Sequence, residues 1–100
     1  MTKRIKVLGQ AELDLLEGFN FYEAREQGLG SYFLRSLFSD IESLQMHSGV
    51  HRKVYKQYHR MLCKRFPFAV FYTVKESTVF IHAILDCRRE PGRIRDRLNR

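Results

Sequence analysis

Arg60-Met-Leu-Cys-Lys-Arg-Phe-Pro-Phe-Ala-Val-Phe-Tyr-Thr-Val74 decides how this chain folds. It sets a basic cluster directly against an almost unbroken apolar run. A run of strand length without polar alternation reads as a strand covered on both faces. The pair Phe66-Pro67 bends or ends the strand read over residues 60–65, because proline cannot donate to a central ladder. Residues 68–74 then form a core strand, Lys75-Glu76-Ser77 a hairpin turn, and residues 78–85 a second core strand rich in β-branched and aromatic side chains. Arg60, Lys64 and Arg65 stand at the mouth of a rigid element, which is how a small domain presents charge to an anionic partner.

Upstream, residues 4–8 alternate polar and apolar before Gly9 and read as a short first strand. Residues 10–27 read as a helix, with Ala11, Leu15, Phe19 and Tyr22 in one stripe and Phe21 falling away from it. Gly28-Leu29-Gly30 breaks that helix, and Ser31 is placed to accept from the free amides of the next. Residues 31–46 carry the cleanest helical pattern. Phe33, Leu34, Leu37, Phe38, Ile41 and Leu44 lie on one side, and polar residues including Asp40 lie on the other. Residues 47–51 read as a loop and residues 54–58 as an edge strand or part of that loop. Arg88-Arg89-Glu90-Pro91-Gly92 ends the sheet. Residues 93–100 form a basic tail in which Ile94 and Leu98 are one helical turn apart.

The order is strand, helix, helix, then three or four strands. The fold class is therefore α+β: a two-helix hairpin laid on one face of a small, mainly antiparallel twisted sheet (β-α-α-β-β-β). The other face is expected to stay partly open and rimmed by basic residues. One hundred residues make a single domain spanning 1–100. The 44% hydrophobic content suffices for a core without metals or disulfides, and no cofactor is expected. Cys63 and Cys87 fall in strand-like runs and read as buried thiols in a reducing cytoplasm. No apolar stretch approaches the ~20 residues that span a bilayer, so no membrane partner is expected. A net charge of +7 points to RNA, DNA or an acidic protein segment.

Four blocks, in order, resemble the RelE/ParE superfamily, the toxin halves of bacterial type II toxin–antitoxin pairs. Ala11-Glu-Leu-Asp-Leu15 resembles the acidic start of its first helix. Phe21-Tyr22 with Gly28-Leu-Gly30 and Phe33-Leu34 resembles its helix hairpin. Residues 60–72 are similar to the R-x-L-L-x-R-F-P-Y-x-I-x-Y block of the ParE-like branch, and Arg88-Arg89-Glu90-Pro91 to the R-R-D-P that closes the last strand. The resemblance implies a plasmid-stabilization type of toxin that inhibits DNA gyrase by binding, and a cognate antitoxin whose flexible segment wraps it. That segment should be acidic, with spaced apolar anchors. The alternative within the superfamily is a ribosome-dependent mRNA interferase. Ala69 stands where mRNA-cutting members usually carry arginine, and Asp86 where many ParE-like members carry histidine.

Metal-independent RNA cleavage needs a base for the 2′-hydroxyl, a cation for the phosphorane and an acid for the leaving oxygen. The candidates for that chemistry are Arg88, Arg89, His82 and Lys64. A packed core histidine is the competing reading of His82, which alternates with Phe80 and Ile84. The candidates for partner or nucleic-acid binding are Arg60, Lys64, Arg65, Tyr72, Arg88, Arg89, Arg93 and Arg97. Tyr72 stacks on a base in that reading, or else is a core aromatic with its hydroxyl satisfied at the rim.

Overall fold

The computed structural model describes residues 2–88 and 90–99. Five strands, β1 (Arg4–Val7), β2 (Lys53–Tyr55), β3 (Tyr58–Leu62), β4 (Phe68–Lys75) and β5 (Thr78–Asp86), form one sheet in the order β1-β5-β4-β3-β2. The sheet is antiparallel except that β1 runs parallel to β5, with Arg4 opposite Thr78 and Val7 opposite Ile81. Helices α1 (Gly9–Arg25) and α2 (Leu29–Glu42) form the expected hairpin, and α3 (Leu44–His47) adds one turn. The first strand's place beside the last one follows from the hairpin, which carries the chain across one sheet face before β2 begins.

The main core lies between that hairpin and the sheet. Ala11, Leu15, Phe33, Leu37, Ile41 and Leu44 meet Met61, Val70, Tyr72, Val79, Ile81 and Ile84. The apolar run of β4 is explained by its two covers. Phe68, Val70 and Tyr72 face the helices, while Ala69 and Phe71 face the opposite side. A bulge in β5 keeps the hairpin side apolar. Phe71 pairs with Ala83 but Tyr72 with Ile81, so His82 is the extra residue. Ile81 and Ile84 therefore both reach the main core despite their odd spacing.

The hairpin turn uses a different cap from the one expected. Gly28 takes φ +89°, a left-handed conformation that glycine adopts without steric cost. The Glu23 carboxylate accepts from the amides of Gly28 (3.0 and 3.1 Å) and Gly30 (2.9 Å). Ser31 sits inside α2, not ahead of it. The helices also cross closely. A Cβ on Gly30 would stand 2.8 Å from the Phe19 carbonyl oxygen, and one on Gly18 would stand 2.5 Å from the Phe33 ring.

The second face is not left open. The basic tail is a helix, α4 (Pro91–Leu98), which lays Leu98 and Ile94 over Tyr58, Ala69, Phe71, Ala83 and Leu85. Pro91 suits the first turn of that helix, where no amide is required of it. Burying Leu98 contributes about 1.5–3 kcal/mol. Polar contacts finish the docking. Asn99 Oδ1 accepts from the Tyr55 hydroxyl (2.7 Å) and from Lys56 Nζ (2.8 Å). Arg97 forms a two-pronged pair with Asp14 of α1, both contacts at 2.7 Å. Among the described residues, no helix is long and apolar enough to cross a membrane.

Candidate functional site

The cations singled out from sequence separate into several neighbourhoods. Arg60 pairs across the ladder with Phe71, which places it on the α4 side of the sheet. There a groove of about 240 Å³ runs between α4 and β2, with Arg60, Arg95 and Cys87 on its walls and Phe71 and Ile94 among its apolar lining. Lys64 and Arg65 are exposed on the loop 63–67. The Lys64 amide donates to the buried Asp40 carboxylate at 3.1 Å, which anchors that loop to α2. Asp40 is thus a buried anchor, although its place on the helical wheel reads as solvent-facing.

Arg88 is exposed and already engaged. Its Nε (2.9 Å) and Nη2 (2.6 Å) donate to the Asp86 carboxylate. That hydrogen bonding, with the attached negative charge, raises its pKa. Arg89 lies outside the described residues. Arg93 is exposed on α4. Arg97, read as a free tail cation, is turned inward with its side chain only 16% exposed. Asp14 collects both Arg97 prongs and the Ile84 amide (3.0 Å). Its signal in the sequence was a carboxylate falling beside the Ala11–Leu15 stripe.

Tyr72 is a correction. It is fully buried and has no face to offer a base. Regular alternation along β4 puts it on the hairpin side with Phe68 and Val70, and its hydroxyl is consumed locally. The Gly49 amide donates to it at 3.1 Å, leaving the hydroxyl proton for His51 Nδ1 at 2.6 Å. His59 stacks on the ring at 4.9 Å, and its Nδ1–H donates to the His51 carbonyl at 2.7 Å. Burial, with His59 and His47 adding like charge, lowers the pKa of His51.

His82 opens on a cleft of about 750 Å³ between the start of α1 and the end of α4, beside Gln10, Glu12, Tyr58 and Arg97. Its Nε2 meets Thr73 Oγ1 at 2.8 Å, and Tyr58 packs edge-on against the ring. Burial lowers its pKa, so it is neutral at pH 7. The cation beside it, Arg97, is committed to Asp14. Arg88 lines a different pocket, with Glu17, Phe21 and Asp86. The structure therefore does not bring His82, Arg88 and Lys64 around one point. The thiols add no nucleophile. Burial pushes Cys63 up to about 12, helped by the Asp40 carboxylate. Cys87 is exposed, contrary to the buried reading, yet partial desolvation still raises it while Arg60 pulls the other way.

A second opening, mostly apolar, went unseen in the sequence. Val7, Leu15, Leu16, Phe19, Leu34 and Phe38 line a trough of about 460 Å³ along the outer side of the hairpin, with the charged Glu12 on its wall. Leu16 is 54% and Phe38 43% exposed. On a helical wheel these residues merely widen the core stripe. Only the crossing of the helices shows that the sheet does not cover them.

No protein-family model and no curated protein matches the sequence. Among solved structures, the chain is similar to one in "Chromosomal ParDE TA system from P. aeruginosa". The TM-score is 0.71 at 19% identity, covering 83% of this chain and 94% of that one. The fold is of the RelE/ParE type.

Proposed function

We propose that this chain is the toxin of a type II toxin–antitoxin pair, nearer the ParE kind. It acts in the cytoplasm by tight binding to a housekeeping target such as DNA gyrase, and a cognate antitoxin with an acidic, partly disordered segment neutralises it. The observation that carries this reading is the solvent-open trough between Leu16 and Phe38 on a protein of net charge +7. An exposed apolar channel on a strongly basic body suits a partner that supplies apolar anchors on an acidic chain. The likeness to a ParDE toxin–antitoxin structure supports the same assignment. Scattered cations support binding over catalysis, because His82 and Arg88 line separate pockets.

A ribosome-dependent mRNA endoribonuclease is the second reading. His82 favours it, being a neutral histidine at a cleft wall and so able to take a proton. One experiment divides the two. The chain is expressed without antitoxin, and DNA integrity and message integrity are followed together. Gyrase poisoning gives DNA breaks with intact messages. An interferase gives cleaved messages with supercoiling unaffected. Normal growth with neither change refutes both. Replacing Arg88 by alanine then tests the exposed Arg88–Asp86 corner, and undiminished toxicity removes it from the mechanism.

A further inference from the structure

A row of four aromatic rings crosses the end of the helix hairpin. Phe21 meets Tyr22 edge-on at 5.1 Å, Tyr22 meets Phe66 at 4.8 Å, and Phe66 meets Tyr32 at 5.6 Å. The two ends of the row are the open ones, Phe21 at 46% and Tyr32 at 41% exposed. The middle is held rigid from below. Phe33, fully buried, packs at 5.1 Å against both Tyr22 and Phe66.

Cations are interleaved with the rings. The Arg25 guanidinium lies 4.4 Å from the Phe21 centroid. Lys64 and Arg65 are exposed and directly precede Phe66. Arg88 lies close enough to act electrostatically on the Tyr22 hydroxyl. Among the described residues, no carboxylate pairs with Arg25, Lys64 or Arg65. Of the acids around the row, Glu23 caps the hairpin turn and Asp86 holds Arg88, while Glu17 shares a pocket with Phe21 and Glu26 is exposed next to Arg25.

We infer that this row is a binding site for single-stranded nucleic acid, with Phe21 and Tyr32 as platforms for unpaired bases and Arg25, Lys64 and Arg65 on the phosphates. Two flat exposed rings, one with Arg25 against it and the other packed on Phe66 next in chain to Lys64 and Arg65, match the alternation of base and phosphate in a single strand. An acidic peptide would instead seek a continuous apolar channel, and this protein's channel lies at Leu16 and Phe38. The inference goes beyond the toxin reading and does not depend on it, since it concerns direct binding by the purified chain.

The test is fluorescence anisotropy of the full chain with labelled 12-nucleotide single strands of RNA and of DNA, a duplex of the same sequence, and a poly-glutamate peptide. The single strands bind more tightly than the duplex. Phe21→Ala and Tyr32→Ala each weaken single-strand binding by about fivefold or more, with the salt slope unchanged. Phe21→Leu, which keeps bulk without a flat ring, weakens it comparably. The double variant Lys64→Gln/Arg65→Gln lowers the slope of log K against log salt by about 1.4, at roughly 0.7 per lost phosphate contact. Full affinity in the ring variants, recovery by Phe21→Leu, or equal duplex binding overturns the proposal. Ring-dependent binding of the peptide and not of the strands also overturns it, and marks the row as a protein-docking site.

Discussion

Removing Arg97 tests whether the tail is a docked helix or a loose basic arm. The pair it forms with Asp14 is shielded, with side-chain exposures of 16% and 9%. Solvent therefore screens it little. Deleting one partner of such a pair and leaving the other charge buried costs about 3–5 kcal/mol. Relief is available here, because α4 ends at the next residue, Leu98, and can lift to let water reach Asp14. The loss is then capped near the cost of undocking α4, chiefly the burial of Leu98 and part of Ile94, or about 2–3 kcal/mol. Arg97→Gln should accordingly lower the melting temperature by roughly 8–24 °C in a chain this size. Asp14→Asn keeps an acceptor for the Ile84 amide and should cost less, about 1–2 kcal/mol. The double variant should be less destabilised than the sum of the singles by about 1.5 kcal/mol or more. Urea unfolding of all four proteins measures that coupling. Hydrogen exchange reads the location: amides of residues 95–98 and of Ile84 should exchange faster in the single variants. Additivity within about 0.5 kcal/mol, with exchange at α4 unchanged, would refute the claim that this pair holds the helix down.

Gly30→Ala should destabilise by about 1–3 kcal/mol, because its Cβ would meet the Phe19 carbonyl 2.8 Å away and push the hairpin apart. Chemical denaturation measures this, and a loss under about 0.5 kcal/mol contradicts so close a crossing. Glu76→Gly should stabilise by about 0.5–1 kcal/mol, since Glu76 sits at φ +56° in the β4–β5 turn. An unchanged or lower melting temperature argues against a left-handed residue there. Acid should weaken the fold through His51 and His82. Both have pKa values lowered from 6.5 by burial, so the unfolded chain takes up protons first as pH falls below that value. Their contribution is complete above pH 6.5 and declines below it, until the folded-state pKa values are passed. Tyr72→Phe, which frees His51 from the hydroxyl, should shrink that decline; a pH–stability curve identical to the parent's shows that the contact does not tune His51.

Much of the fold was legible because it is set by local pattern. The β4 run, the period of α2, Gly28 and the Lys75–Thr78 turn each carry their own signal within a few residues. The candidate site was less legible. Exposure of Leu16 and Phe38 depends on how two helices cross, and the partners of the Tyr72 hydroxyl, Gly49 and His51, come from a distant loop. Arg97 looked like its neighbours Arg93 and Arg95, because nothing within a few residues of it names Asp14 as a partner.

By itself, then, the sequence determined the element order, the two-sided burial of β4, the glycine hinge and the strongly positive charge. These follow from side-chain period, backbone preference and composition, all of which act locally or by simple summation. The tertiary structure alone decided that Arg97 is not a free cation, since it is spent on Asp14 at the other end of the chain. It also decided which apolar surface stays uncovered, because α4 closes one sheet face while the trough along the hairpin remains open. Both outcomes rest on contacts between residues far apart in the chain, whose geometry exists only after the layers have packed.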